Sequence, residues 1–174
     1  MQRKRLWIGV LLMAAVLLHS PVAPAVESDP LPAPKGTPHE RAISTYNEGV
    51  GLMRAKYYAA AQEKFEQALA LDETLAEAHN NLAFSLRQQG THNFARSLQH
   101  YNRAIELKPD LAQAYMYRGV LFTQMDDLAS ARADYEQLLR LNPALAARLE
   151  RIIAGADGRD AYDDLAGVSE GVAP

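Results

Sequence analysis

Between Ala42 and Leu145 the apolar positions recur every three or four residues, and Gly90, Pro109 and Pro143 fall between the apolar runs. That spacing predicts amphipathic helices throughout, with loops at the breaks. The pattern is also written three times. "FEQALALDETLAEAHNNLA" begins at Phe65, "YNRAIELKPDLAQAYMYRG" at Tyr101 and "YEQLLRLNPALAARLERI" at Tyr135. Aligned on these phrases, the chain divides into units Ala42–Leu75, Ala76–Leu111 and Ala112–Leu145, of 34, 36 and 34 residues. Each unit divides again near Lys56, Gly90 or Asp126 into halves of about 12 to 15 residues, the length of one arm of an antiparallel helix pair.

The residues in phase resemble the tetratricopeptide repeat (TPR). The first unit offers Gly49, Leu52, Tyr58, Ala61, Phe65, Ala68 and Leu71. The second offers Leu82, Ala83, Gly90, Phe94, Ser97, Tyr101, Ala104 and Pro109, and the third Tyr115, Gly119, Phe122, Ala131, Tyr135, Leu138 and Pro143. The resemblance implies an all-α fold, a short right-handed α-solenoid of three helix-turn-helix units. A capping helix over residues 144–154 would close it, with Leu145, Leu149, Ile152 and Ile153 inward and Arg148, Glu150 and Arg151 mostly outward. Physical reasoning agrees. One such unit cannot bury its own apolar face, whereas a stack can. Small residues (Gly49, Ala83 and Gly119; Ala61, Ser97 and Ala131) stand where paired helices cross, and Phe65, Tyr101 and Tyr135 fill the wedge toward the next unit. Pro109 and Pro143 end second helices. Glu73 stands in their place in the first unit, so a softer boundary is expected there. Thr91-His92 is an insertion in the second turn, expected to protrude. Glu48 and Arg118 replace a frequent leucine and are expected near the groove edge with their heads in water.

The ends are written differently. A basic stub, thirteen apolar or small residues from Leu6 to Leu18, and Ala23-Pro24-Ala25 describe a secretory signal over residues 1–25. An uncleaved anchor through residues 6–18 is the alternative. The run is short for a membrane span, which needs about 20 residues. Residues 26–38, with four prolines, read as an extended tether, and residues 155–174 as an acidic, disordered tail. The acids of "DGRDAYDD" do not fall on the calcium-loop spacing. The expected location is the periplasm, after export across the inner membrane.

Composition narrows the chemistry. There is no cysteine, which excludes disulfides, thiol catalysis and thiolate metal sites. Removal of residues 1–25 would leave 15 basic and 21 acidic side chains, a formal charge of −6. That argues against nucleic acid and anionic membrane surfaces as partners. No HExxH, GxSxG, P-loop or GxGxxG occurs, so no enzymatic activity, metal, cofactor or small-molecule substrate is expected. His39, His92 and His100 lack ligand spacing, and His79 occupies a core-facing slot that the family often gives to tryptophan.

The resemblance implies instead a protein partner, a peptide or helix held on the concave face formed by the first helix of each unit. In the first unit that face would be Ile43, Tyr46, Val50, Met53 and Arg54. In the second it would be Asn80, Phe84 and Arg87, flanked by Glu77 and Gln88. In the third it would be Met116, Val120 and Gln124, with Gln113 and Thr123 beside them. The apolar members would anchor the ligand while Arg54 and Arg87 pair with its acids. The proline-rich tether folding back over Ile43 and Tyr46 is an alternative. Of the residues with which one subclass clamps chaperone C-termini, only Asn81 is matched. Tyr46, Val50, Gln113 and Tyr117 fill the other slots, so that mode is not expected. The expected role is an adaptor or scaffold of the cell envelope. A self-associating structural subunit and an accessory subunit of an enzyme are the rivals.

Overall fold

The computed structural model describes residues 36–155. The signal, nearly all of the tether and the acidic tail lie outside these residues. Within them are seven α-helices: α1 (Pro38–Arg54), α2 (Tyr58–Leu71), α3 (Ala76–Gln88), α4 (Phe94–Leu107), α5 (Ala112–Gln124), α6 (Leu128–Leu141) and α7 (Pro143–Ile153). Helices α1–α2, α3–α4 and α5–α6 are the three pairs that the repeat phase predicts, stacked in chain order as a helical solenoid, and α7 caps the last. Among the described residues there is no strand, and no helix is long and apolar enough to cross a membrane.

Equivalent repeat positions make closely related local geometry with different residues. Lys56, Gly90 and Asp126 stand at equivalent places and all adopt positive φ, at 63°, 121° and 60°. A positive-φ residue ends the first helix of every pair; Lys56 and Asp126 close it with a bond from the next N–H back to Leu52 or Phe122, whereas Gly90, at ψ 173°, leads into the inserted turn. Asp72, Lys108 and Asn142, equivalent at the unit boundaries, share φ/ψ of −150°/99°, −140°/86° and −157°/93°. The first boundary is therefore built like the others, although Glu73 stands where they have proline. Asp72 accounts for it, since its Oδ1 accepts from the Thr74 backbone N–H at 2.9 Å and hydroxyl at 2.6 Å. These bonds and the His39 ring hold the Asp72 carboxyl down to about 2. Helix α1 begins at Pro38, inside the stretch read as tether. Thr37 and Glu40 form a reciprocal capping box, and proline is accepted at the first helical position. The inserted Thr91 and His92 form an exposed 3-10 turn with Asn93.

The core runs the length of the stack. Where α1 crosses α2, a side chain on Gly49 would lie 2.6 Å from the buried Phe65 ring. Where α3 crosses α4, the Ser97 hydroxyl donates to the Ala83 carbonyl at 2.7 Å. Phe65 and Tyr101 are fully buried, but Tyr135 is only half-buried, because among the described residues a single helix, α7, packs beyond the third pair. Ala146, Leu149 and Ile152 of α7 cover that end, with Leu145 and Ile153 at the margin.

Arg118 departs from its expected place in water. Its guanidinium lies over the rings of Tyr115 and Phe122 at 5.6 and 5.7 Å. Nε and Nη2 donate to the buried Asp134 carboxylate at 3.0 and 2.6 Å, and Nη1 donates to Asn102 at 2.7 Å. Glu48, at the same repeat position, keeps its head in solvent and meets Lys64 at 2.6 Å. The difference is the partner, which in the third unit is an inward-facing aspartate.

Candidate partner-binding face

Helices α1, α3 and α5 are joined side by side through a row of contacts along α3. The Tyr46 hydroxyl of α1 accepts from Asn81 at 2.9 Å, and Asn81 accepts in turn from Asn80 at 3.0 Å. Phe84 meets Tyr58 of α2 at 6.0 Å between ring centres and Tyr117 of α5 at 5.2 Å. Arg87 lies 5.1 Å over the Phe84 ring and donates through Nη1 to Gln124 of α5 at 3.1 Å.

The expected groove residues divide into two sets on this frame. Ile43, Tyr46, Val50, Met53, Phe84, Met116 and Val120 are all buried, most of them within the continuous core. The same spacing that directs a side chain toward a groove directs it, in a closely stacked solenoid, against the neighbouring first helix. Arg54 is exposed and Gln124 half-buried. Asn80 and Arg87 are each 3% exposed. They stand seven residues apart, two turns along α3, and so share one face of it.

That polar pair is incompletely satisfied. Asn80 Oδ1 and Arg87 Nε and Nη2 have no hydrogen-bond partner although all three atoms are buried. The Tyr101 hydroxyl beside them is also unpartnered. Burial pushes its ionisation upward, and the neighbouring Arg87 guanidinium, by its charge and by its approach to the hydroxyl, opposes that rise, as does Ser97. Buried polar groups are paired in the great majority of cases, and a buried cation without a counter-ion costs several kcal/mol. The edge left open on Arg87 is the Nε/Nη2 fork. It is the edge with which Arg118 grips Asp134 in the next unit, the bidentate geometry a carboxylate fits. The sequence identifies Arg87 and Asn80 as face residues, but nothing in it marks which donors go unanswered.

Comparison with known proteins places this geometry. The tetratricopeptide repeat family profile matches residues 112–145, the third unit. Human tetratricopeptide repeat protein 36 is 33% identical over 105 residues, 58% of this chain and 54% of that protein, so the chain spans about half of its relative's length. The TPR domain of Arabidopsis OM64 superposes with a TM-score of 0.63 at 20% identity, covering 69% of this chain and 99% of the other. The second TPR domain of human RPAP3, solved with the HSP70 peptide SGPTIEEVD, superposes with a TM-score of 0.61 at 26% identity, covering 67% and 98%.

Proposed function

We propose that this tetratricopeptide-repeat chain is a non-enzymatic interaction module of the cell envelope. Its α1–α3–α5 face receives a partner segment that carries a carboxylate. The observation that carries the reading is the open Nε/Nη2 edge of Arg87, buried on the same face of α3 as the unpartnered Asn80 Oδ1 two turns away. An acidic side chain or chain terminus would close the fork as Asp134 closes that of Arg118, and Asn80 would accept a backbone N–H of the same segment. An acidic peptide bound to a solved neighbour supports the ligand class. The envelope assignment rests on residues 1–25, whose pattern supports export.

The test is selection of displayed random peptides on the full chain, followed by affinity measurement on Arg87→Met. Enrichment of acid-bearing peptides, with at least about tenfold weaker binding by Arg87→Met, is expected. Removing an incompletely paired buried charge should leave the melting temperature unchanged or higher. Peptides bound equally by both proteins, or none selected, would end the reading. Loss of binding together with a lower melting temperature would assign Arg87 a purely structural role. A second reading, self-association, is favoured by Leu139 and Leu141, 43% and 38% exposed at the end of α6. Concentration-dependent mass in sedimentation checks it.

A further inference from the structure

Helix α7 is built like the first helix of a further pair. In the first and third pairs the first helix closes with the same two bonds. Ala55 and Lys56 donate to the Gly51 and Met53 carbonyls at 3.1 and 3.0 Å, and Met125 and Asp126 to those of Leu121 and Thr123 at 3.0 and 3.2 Å. Ala154 and Gly155 close α7 in this way, onto Glu150 and Ile152 at 2.9 and 3.0 Å. The φ of Gly155 is 70°, against 63° at Lys56 and 60° at Asp126. After those two turns the chain reverses, and a second helix begins two residues on, at Tyr58 and Leu128.

The face of α7 that would receive such a helix is left open. In the earlier pairs that face holds Gly49, against the Phe65 ring, and Arg118, which grips Asp134. Counted back from the positive-φ residue, their places on α7 are Arg148 and Ala147, on one face with Ala144 and Arg151. Ala144, Ala147 and Arg151 are exposed and Arg148 is half-buried. Beside this face α6 and α7 enclose a cleft of about 290 Å3, with Arg132 and the half-buried Tyr135 on one wall and Ile153 and Ala154 on the other. The chain leaves α7 at Ala154, so whatever follows is tethered at the rim of the cleft.

We propose that residues 158–168 dock on this face as the second helix of a fourth pair. Composition reads them as part of a disordered tail, but their spacing is that of a second helix. Ala161, Leu165 and Val168 repeat the intervals of Ala61, Phe65 and Ala68 and of Ser97, Tyr101 and Ala104, the buried positions of α2 and α4. The step from Gly155 to Ala161 is one residue longer than that from Asp126 to Ala131 and one shorter than that from Gly90 to Ser97. Asp164 then stands where Lys64 and Asp134 stand. Arg148 precedes it by 16 residues, the separation of Glu48 from Lys64 and of Arg118 from Asp134. Asp157 takes the N-cap place, which aspartate favours. Charge is complementary as well: Asp157, Asp160, Asp163 and Asp164 outnumber Arg159, and Arg132, Arg148 and Arg151 outnumber Glu136 and Glu150 on the receiving surface. A helix this short, with glycine at 158 and 167, does not stand alone in water, so it forms only where α6 and α7 receive it. The Arg87 face takes no part, and the two proposals stand or fall separately.

The experiment is hydrogen exchange of the full chain, read by mass spectrometry at neutral pH and low salt over a range of protein concentrations. Amides of residues 161–168 are expected to exchange at least about tenfold more slowly than the same amides in a Leu165→Asp variant. Arg148→Glu and Asp164→Arg should each erase the protection, and the two together should restore it. Helices α1–α6 should stay as protected as in the parent, because none of the three positions lies in them. The protection should not change with concentration. Exchange of residues 161–168 in the parent as fast as in Leu165→Asp would overturn the proposal. So would protection that survives Leu165→Asp, or protection that grows with concentration, which would make a second copy the occupant of the face.

Discussion

One repeat position shows how far identical geometry tolerates different chemistry. Lys64, His100 and Asp134 are equivalent, and each makes a polar contact back to the first helix of its own unit. Their energetic weights differ because their surroundings differ. The Lys64–Glu48 pair is held in solvent, with side chains 35% and 55% exposed, where ion pairs contribute little. Asp134 is buried, and its partner Arg118 is sandwiched between aromatic rings. Burial outweighs even that partner and pushes the Asp134 carboxyl up. Asp134→Ala should therefore destabilise by about 3 kcal/mol, since it strands a largely buried guanidinium. Glu48→Ala should cost less than about 0.5 kcal/mol. Urea denaturation of the two variants checks the contrast. Replacing Arg118 and Asp134 together by leucine should recover most of the loss, because the penalty comes from the unpaired charge rather than from the missing pair.

The helices and their turns were legible because their signals are local. Periodicity of three and four, repeated in phase, predicted the seven helices, and the positive-φ residues Lys56, Gly90 and Asp126 fall where the alignment divides each unit. Only the middle turn uses glycine, the residue that tolerates positive φ freely. Lys56→Gly should stabilise by about 0.5 kcal/mol, the steric relief slightly exceeding the added freedom of the unfolded chain. Gly49→Ala should do the reverse, by about 1–3 kcal/mol, since its methyl group would meet the Phe65 ring in a filled core. At Gly119 the obstruction is the tip of Leu149, on the short terminal helix, so the same change there should cost less. Chemical denaturation ranks all three. What local signals could not convey is which side of a first helix remains open. Phe84 and Met116 have the spacing of groove residues and the burial of core ones, because exposure depends on how closely α1, α3 and α5 approach. The burial of Arg118 and the open fork of Arg87 are likewise properties of neighbours brought together by the stack.

A solenoid in which each unit touches only its neighbours is held by its middle, and here the middle carries the acid-sensitive groups. His79 and His100 join α3 to α4 as neutral rings, and burial sets their folded proton affinities below the ordinary value of about 6.5, His100 at about 4. A histidine depressed in the folded state takes up its proton first in the unfolded chain. Stability is thus unaffected above about pH 6.5, and falls as pH drops from there toward 4. Asp72, held at about 2, acts in a lower window: its stabilising bonds persist above about 3.8 and are lost only as pH falls toward 2. The melting temperature should therefore decline in two stages. A double His79→Gln, His100→Gln variant should flatten the first stage and leave the second, while Asp72→Asn should shrink the second, to which Glu40 and Asp127 also contribute. Melting curves at half-unit pH intervals separate the two. A first decline unchanged in the double variant would mean that the carboxylates, not the imidazole pair, govern the acid response of the stack.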